Sequence, residues 1–443
     1  MNIVFISNYI NHHQIPFCEE MIKLCGESDR FYFIQTQDME QDRKDMGWGT
    51  QLPSYVLKSY ESEEENKRCR QLIFDSEVVI FGGCEDESYI SPRLEDVRKN
   101  LEEKAGAADA GEADAGEADD RKISEKPLKI TFRYSERLYR EGQWKCITPK
   151  GLIRKYKDHT RYKNCPVYLL AAGAYVPSDF GIIKAYPGKM LKWGYFTEVR
   201  EYDIESLLEN KGWGDDKIPY IIWAGRLMKL KHPELAVLTA EHLSKKGLDF
   251  HMDIIGGGEE EENIKSLIKE KGLEDKITMT GMKKPGEVRE AMEKADILLF
   301  TSNRLEGWGA VVNEAMNSGC AVIAGNMAGA VPYLIKNGVN GCVFADGQSG
   351  QLLKEAEKLV SDKKLRRKIG ENAYITMRDT WNPANAAKKL MEFIESVRSG
   401  QIGQNGRTAD KTDGQNGQMI PGPCSPVYPE SEKAVSKKVV SES

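Results

Sequence analysis

Short apolar runs alternate with longer amphipathic stretches through most of this 443-residue chain. Apolar runs of about five residues are typical of strands buried on both faces of a parallel sheet, and the stretches between them have a helical period. This alternation predicts repeated β–α units. In the N-terminal half the predicted strands are Ile3–Ser7, Phe31–Gln35, Val78–Gly82, Leu128–Phe132 and Val167–Leu170.

The same rhythm is clearer in the C-terminal half, where helices are predicted at Pro233–Lys246, Pro285–Lys294 and Trp308–Ser318. Two successive doubly wound halves predict an α/β protein with two Rossmann-like parallel-sheet domains that face a cleft. Ligands bind such sheets beyond the carboxyl ends of the strands, so the loops that follow the strands are the candidate binding loops. The predicted strands of this half are Tyr220–Ala224, His251–Ile255, Lys276–Thr280, Asp296–Thr301, Cys320–Ala324 and Cys342–Phe344.

Two segments interrupt the pattern. Residues 105–119 repeat an Ala/Gly/Asp-rich pentapeptide three times, and the tail from about Gly400 contains GQNG twice before a Pro-rich run. Segments of this composition bury too little surface to offset the entropy of ordering. They predict a flexible insertion at about 102–124 and a disordered tail at 400–443. The boundaries predicted for the rest are an N-terminal domain at 1–200, a C-terminal domain at 201–380 and a closing helix at 381–399.

Composition narrows the classes of function. The chain is 40% hydrophobic and 30% charged with a net charge of −6, which excludes a generic nucleic-acid binder. The pentapeptide repeat contributes five acids and no base, so the rest of the chain has a net charge near −1. No window is apolar enough for a spanning helix, and nine scattered cysteines without a CxxC motif indicate reduced thiols. These features predict a cytoplasmic protein and leave open a location at the inner face of the membrane.

The segment from Glu306 to Glu314 reads EGWGAVVNE and follows the predicted strand Asp296–Thr301. Its glycines allow a ligand close to the backbone, and the free N–H groups at a helix start favour an anion such as a pyrophosphate. Glu306 is placed to accept hydrogen bonds from sugar hydroxyls, and Glu314, two turns along the helix, from a ribose diol. Glutamates at this spacing are also common as solvated helix residues, and the EGWG context favours a site.

Two further motifs follow neighbouring predicted strands. Arg226 and Lys231, in the sequence GRLMKLK, combine a bidentate fork with a point charge, which suits diphosphate oxygens, although ordinary surface charges are the alternative. Gly256-Gly257-Gly258 lacks the full GxGxxG spacing, so it predicts a tight turn and room for a nucleotide rather than a phosphate loop.

In order and spacing, these motifs and the small-residue loop after Cys320–Ala324 resemble the glycosyltransferase family 4 group over at least residues 218–345. The resemblance implies the GT-B fold, a closing helix that crosses back to the first domain, and a retaining transfer from a nucleotide-diphosphate sugar. It implies no cofactor, and the lack of Asp-x-Asp at a strand end in the core disfavours a metal. The implied catalytic residues are Glu306, Arg226 and Lys231, and the implied donor contacts are Gly225, Arg226, Lys231, Gly256, Glu306, Gly307, Trp308, Gly309 and Glu314.

The acceptor side is less determined by the sequence. His12 and His13 follow the first predicted strand and Glu136 follows the fourth, so all three are candidate acceptor contacts, with structural hydrogen bonds as the alternative. Seven Lys or Arg residues between 145 and 163 interleave with Tyr156 and Tyr162. This stretch predicts a peripheral membrane contact through 144–163 or a grip on a lipid diphosphate, with a solvated basic helix as the alternative.

The expected activity is transfer of a sugar to a glycan or lipid-linked glycan acceptor, in cell-surface polysaccharide biosynthesis by the family resemblance. Two alternatives stay open. One is another GT-B enzyme, such as a sugar-nucleotide epimerase or a phosphorylase. The other is a nucleotide-sugar-binding scaffold without catalysis, against which the intact Arg226, Lys231, Glu306 and Glu314 argue.

Overall fold

The fold is built on two parallel sheets. The computed structural model describes residues 1–26, 29–45, 47, 49, 51–83, 86–113, 127–140, 142–143, 148–401 and 421–441. The first sheet has seven strands in the order β3-β2-β1-β4-β5-β6-β7, all pairs parallel. These strands are β1 (Asn2–Ser7), β2 (Arg30–Gln35), β3 (Val56–Lys58), β4 (Val78–Phe81), β5 (Ile130–Ser135), β6 (Val167–Ala172) and β7 (Met190–Trp193).

The second sheet has six parallel strands in the order β10-β9-β8-β11-β12-β13. Its strand order reverses between β8 and β11, and the first sheet reverses between β1 and β4, as expected of doubly wound folds. The predicted pair of parallel-sheet α/β domains is therefore confirmed. The strands are β8 (Tyr220–Ala224), β9 (His251–Ile255), β10 (Ile277–Gly281), β11 (Ile297–Phe300), β12 (Ala321–Gly325) and β13 (Cys342–Phe344).

Helices connect the strands and cover both faces of each sheet. Local sequence sets several of their starts: Ser62, Asp362 and Asn382 each cap a helix by accepting a hydrogen bond from a backbone N–H in its first turn. The helices are α1 (Ile15–Leu24), α2 (Gln41–Asp45), α3 (Glu63–Asp75), α4 (Glu87–Ala113), α5 (Pro149–Asp158), α6 (Val176–Ile182), α7 (Ile204–Asn210), α8 (Glu234–Lys245), α9 (Glu261–Glu270), α10 (Pro285–Lys294), α11 (Ala310–Asn317), α12 (Val331–Leu334), α13 (Ser349–Ser361), α14 (Lys363–Ile375), α15 (Pro383–Arg398) and α16 (Glu432–Ser441).

The last long helix, α15, packs on α1 of the N-terminal domain, and Phe393 on α15 contacts the rings of Phe132 and Tyr168 in the first sheet. One apolar cluster consequently runs without a break from the first sheet through α15 to the second. The helix is thus both a packing helix and a connection back to the first domain.

Edge strand β7 was missed from the sequence because Lys192 interrupts its apolar run. In the structure Lys192 is buried, its ammonium donates to the carbonyl of Pro421 at 3.0 Å, and it lies 4.6 Å from the Tyr333 ring centroid. Burial lowers the pKa of Lys192 to about 7. The charge is therefore accommodated by partners that are distant in sequence.

The expected flexible insertion is partly helical, because α4 continues to Ala113 through the first pentapeptide. Alanine is the strongest helix former, which favours extension of a helix that already exists. Residues 114–126, which hold most of the remaining repeat, lie outside the described residues.

The expectation of a disordered tail is wrong for residues 421–441. Residues 424–427 lie along β7 and form backbone hydrogen bonds with Met190 and Lys192 at 2.8–3.0 Å, one of them from Cys424 N to Lys192 O. Helix α16 then packs on α12 and β13, and Asn326 donates to Ser436 Oγ at 2.6 Å. The tail therefore contacts the outer edge strand of each sheet, where backbone groups need partners. Residues 402–420 lie outside the described residues.

We expect truncation after residue 401 to lower the thermal midpoint by several degrees, measured by calorimetry. The loss of about three backbone hydrogen bonds and of the buried Val439 removes on the order of 2 kcal/mol. The full-length Tyr428→Ala variant is the control, because this side chain is 66% exposed. An unchanged midpoint in the truncated chain would contradict the docking of this segment.

Candidate active site

The carboxyl ends of both sheets face one cleft of about 1390 Å³. Its walls come from loops of both domains and from α5. Every site residue predicted from the sequence lines this cleft. The set comprises His12, His13, Glu136, Gly225, Arg226, Lys231, Gly256, Glu306, Gly307, Trp308, Gly309 and Glu314.

The loop after β8 carries Arg226 and Lys231. A Cβ on Gly256 would overlap the carbonyl oxygen of Gly225, so only glycine lets the two loops approach this closely. Leu227 N donates to Gly257 O at 2.9 Å, which ties the glycine turn to the basic loop. The glycine cluster therefore positions the Arg226 loop, and the Arg226 side chain is exposed in the cleft without an ion-pair partner among the described residues.

Lys231 forms an ion pair with Glu306, and Ser302 Oγ donates to the same carboxylate at 3.1 Å. The position of Lys231 is fixed by its carbonyl, which accepts a hydrogen bond from Thr301 Oγ1 at 2.6 Å. About one sixth of the surface of each of these two charged side chains is exposed, and both residues line the cleft. The loops after β8 and β11 are thus joined by Lys231 and Glu306, two of the three residues that the family resemblance implies are catalytic.

Trp308, a predicted donor contact, has a buried side chain that is 1% exposed. The indole stacks on Tyr195 and Trp381 at 5.9 and 5.6 Å, and Trp381 stacks on Phe196 at 5.3 Å. We call these four residues the aromatic stack. Trp308 Nε1 also donates to Asn313 Oδ1 at 2.9 Å. Only the backbone of Trp308 is left for a ligand in the cleft.

Helix α11 starts at Ala310, two residues later than the sequence predicted. Gly309 precedes it with φ +99°, and a Cβ there would lie 2.5 Å from the Phe300 ring. A Cβ on Gly307 would overlap the Glu136 carboxylate of the other domain. The two glycines therefore let the EGWG loop fold tightly between β11 and the N-terminal domain, with the first N–H groups of α11 near the cleft.

Glu314 lies close to His12 and His13, the two histidines predicted to contact the acceptor. His13 Nδ1 is 4.0 Å from Glu314 Oε1, and ligating atoms of His12, His13 and Glu314 all lie within 4.8 Å of one another. Burial raises the pKa of the Glu314 carboxyl to about 7, although 23% of the side chain stays open to the cleft. Burial also lowers the pKa of His12 to about 4 and holds the pKa of His13 well below 6.5. Neutral imidazoles and a carboxylate of this kind bind hydroxyls, and they are also metal-ligand types.

Glu136 is joined to residues that the sequence analysis did not identify. It forms an ion pair with Arg140 and accepts a hydrogen bond from Tyr195 OH at 2.7 Å. The carbonyl of Tyr195 accepts from Asn313 Nδ2 and Trp381 Nε1, so this residue links both domains and α15. Tyr195 follows the unpredicted strand β7, so no local pattern placed it at the cleft.

Part of the basic stretch 144–163 forms α5, whose N-terminus is capped by Thr148. Arg154, Lys155 and Asp158 on this helix line the cleft. Its exposed side carries apolar residues, with Ile153 and Tyr156 nearly 60% exposed. Residues 144–147 lie outside the described residues. Among the described residues, no helix combines the length and the apolar character needed to cross a bilayer.

Sequence comparisons identify relatives of the second domain. Residues 206–376 match the family model described as glycosyl transferases group 1. Alpha-D-kanosaminyltransferase of Streptomyces kanamyceticus is 28% identical over 177 residues, which is 40% of this chain and 44% of that protein. The amylovoran biosynthesis glycosyltransferase AmsK of Erwinia amylovora is 30% identical over 30% of this chain and 33% of its own length. The chain thus matches less than half the length of these curated relatives.

Solved structures extend the similarity to both domains. HepE of Anabaena in complex with UDP superposes with a TM-score of 0.57 at 14% identity, covering 89% of this chain and 100% of HepE. The lipopolysaccharide outer core galactosyltransferase WaaB superposes with a TM-score of 0.56 at 16% identity, covering 90% of this chain and 100% of WaaB. At these identities the likeness establishes the fold. The chain therefore has the two-domain GT-B fold, and residues 206–376 of its second domain match the glycosyl transferases group 1 model.

Proposed function

We propose that this protein is a retaining glycosyltransferase of the hexosyltransferase type. It moves a sugar from a nucleotide-diphosphate sugar to a glycan or lipid-linked glycan in cell-surface polysaccharide biosynthesis. The observation that carries the proposal is the meeting of Arg226, Lys231, Glu306 and the start of α11 in one cleft between two domains. HepE binds UDP, and AmsK and WaaB are named for polysaccharide and lipopolysaccharide synthesis, which supports the donor and the pathway class.

In this proposal the donor diphosphate lies between the Arg226 guanidinium and the Lys231 ammonium, close to the N–H groups that open α11. These positive groups stabilise the negative charge that develops on the leaving diphosphate, and they do so without a metal or another cofactor. They are held in place by the glycine turn and by Thr301 before the donor arrives, so little reorganisation accompanies the reaction.

Glu306 changes partner during this process. Its carboxylate pairs with Lys231 in the free protein, and the diphosphate competes for that ammonium. The carboxylate then accepts hydrogen bonds from hydroxyls of the transferred sugar, with Ser302 as its remaining partner. The leaving phosphate accepts the proton of the acceptor hydroxyl as the new glycosidic bond forms on the same face of the sugar. Nearby, His12, His13 and Glu136 orient the acceptor.

The helix α5 supports a second part of the proposal, a peripheral contact with anionic membranes through 144–163. Its exposed apolar residues Leu152, Ile153 and Tyr156 lie among exposed basic residues, which is the composition of a helix that lies in a bilayer interface. The same helix forms part of the cleft wall, so a lipid-linked acceptor would reach the site from the membrane surface.

We expect Glu306→Gln and Arg226→Ala each to reduce sugar transfer at least about 100-fold while the thermal midpoint changes little. Each change removes a group that is proposed to stabilise charge in the transition state. Lys229→Ala is the matched control, because this exposed lysine is on the same loop and does not line the cleft.

The assay measures transfer and slow donor hydrolysis across a panel of nucleotide sugars. Wild-type turnover in either site variant would reject the assignment. Donor binding without any turnover across an acceptor panel would favour the scaffold alternative, and interconversion of the donor sugar would favour an epimerase.

We expect the affinity for an intact nucleotide sugar to rise by up to about tenfold between pH 6 and pH 8. Only the ionised Glu314 carboxylate accepts two hydrogen bonds from a ribose diol, and with a pKa of about 7 its ionised fraction rises over this interval. Calorimetric titration of the intact donor is suitable because its diphosphate diester does not titrate in this range. Glu314→Gln should flatten the profile, and Glu290→Gln, at an exposed position, should not. The same slope in Glu314→Gln would contradict this role.

We expect the protein to sediment with vesicles that contain anionic lipid, and added salt to release it. Ile153→Asp should reduce the bound fraction several-fold, because it places a charge on the exposed apolar side of α5. Leu24→Asp, at an exposed leucine of α1, is the control. Equal, salt-insensitive binding to neutral and anionic vesicles would argue against the membrane contact.

A further inference from the structure

A second group of cations lies in the cleft, on the wall formed by the N-terminal domain and away from the Arg226 loop. Arg133 projects from β5, and Arg154 and Lys155 project from α5. Arg133 is paired with Phe81 in β4, and Gly82 and Gly83, which follow β4, also line the cleft. We call Arg133 and Lys155 with the adjoining backbone of Gly82 and Gly83 the Arg133 subsite.

Arg133 lacks the partners that a buried guanidinium normally has. Its Nη1 is buried and has no hydrogen-bond partner, and no carboxylate among the described residues lies within ion-pair distance of its guanidinium. The centroid of the Phe81 ring lies 6.0 Å from the guanidinium carbon. A buried charged donor left unpaired is costly, and native structures rarely keep one without a reason.

The nearby carboxylates of Asp158 and Glu87 form no ion pair with Arg133. Asp158 is 3.6 Å from Arg154, and Glu87 accepts a hydrogen bond from Ser91 at 2.9 Å. Lys155 has no ion-pair partner among the residues that the structure describes. Burial lowers the pKa of Lys155, and Arg154 and Arg133 lower it further, whereas Asp158 and Glu87 act in the opposite direction.

The remaining polar neighbour of Arg133 and Lys155 is an uncharged histidine. His159 lies buried beside this group, and its Nδ1 is 2.7 Å from Tyr186 OH. Burial and the charges of Arg133 and Lys155 hold the pKa of His159 well below its usual value. Two cations without ion-pair partners, a guanidinium fork and an ammonium, thus face the same part of the cleft. This combination matches a phosphate group better than a neutral sugar, because a phosphate carries about two charges and several acceptor oxygens.

We propose that the Arg133 subsite binds a phosphate group of the acceptor, so that the acceptor is a phosphate-bearing glycan or glycolipid. This proposal deepens the proposed function. It rests on that function only in identifying the ligand as the acceptor, because phosphate binding itself does not require turnover. The phosphate can belong to a soluble sugar phosphate or to a lipid headgroup, and both present the same chemistry to Arg133 and Lys155.

The test uses the full-length protein saturated with a nucleoside diphosphate, which fills the donor side of the cleft. Inorganic phosphate is then added at millimolar concentration and the thermal midpoint is followed. We expect the midpoint of the wild-type protein to rise by about 1–2 °C, and Arg133→Gln to lose at least about half of that rise. Arg68→Gln is the matched control on exposed α3 and should keep the full rise.

Lys155→Gln is a second variant in case Arg133→Gln does not fold, and it should show the same loss. An equal rise in the wild-type protein and both subsite variants, or no rise in the wild-type protein, would overturn the proposal. Neither result depends on turnover. Failure of phosphate binding at the subsite can therefore be distinguished from failure of the proposed glycosyltransferase activity.

Kinetics then separate the two sources of phosphate. With a sugar phosphate in solution and with a phosphate-bearing glycolipid in vesicles, Arg133→Gln should raise the acceptor KM about tenfold, as expected for one charge-assisted contact. Donor hydrolysis and transfer to a neutral glycan should not change. A KM effect with only one of the two acceptors assigns the phosphate to that source. An unchanged KM with both would overturn the acceptor assignment.

Discussion

The aromatic stack holds the two domains in the arrangement that creates the cleft. Trp308 comes from the EGWG loop, Tyr195 and Phe196 follow the edge strand β7, and Trp381 precedes α15, so three distant segments meet in one set of rings. Burial of large aromatic rings with offset stacking is among the strongest apolar contacts available. Gly194 makes the contact possible, because a Cβ there would overlap the Trp308 ring. The loop that carries Glu306 is therefore held in place by Gly194 and Tyr195 of the other domain, which pack against Trp308.

Around this stack, backbone packs directly on backbone at the domain junction. Ala174 N donates to Gly329 O at 3.0 Å, and Ala330 N donates to Trp308 O at 3.1 Å. A Cβ on Gly329 would overlap the carbonyl of Gly307. These contacts explain why small residues follow β12, and they place the N-terminal domain against the donor loop. The cleft is consequently a product of both domains.

The second sheet was predictable from the sequence because four of its six strands, β8, β11, β12 and β13, are short apolar runs without a charged residue, and the helical stretches between the strands are regular. Strands β8 and β9 have the bounds that the pattern gave, and the loops after β8 and β11 reach the cleft as expected for parallel sheets. Arg226 and Glu306 lie in the loops that follow those strands, so strand ends and loop composition were sufficient to locate them. The burial of the Trp308 indole was not predictable, because a tryptophan in a binding loop and a tryptophan in a core have the same local sequence.

The first sheet was harder to predict because its local signals conflict with its tertiary contacts. Lys192 hides strand β7, and its buried ammonium is accommodated by the tail carbonyl of Pro421 and by the rings of Tyr333 and Trp381. The tail itself has a composition that predicts disorder, yet it docks on sheet edges whose unpaired backbone groups no sequence pattern displays.

Arg133 illustrates the same limit at the cleft. The predicted strand ended at Phe132, whereas β5 continues to Ser135 and places Arg133 inside the strand, at the level of its neighbour Phe81. A cation in a loop is ordinary, but a cation within a parallel strand, with one buried nitrogen and no counter-ion among the described residues, requires a partner that is not part of the fold. The physical reason to assign chemistry to this residue therefore exists only once the register of the sheet is known.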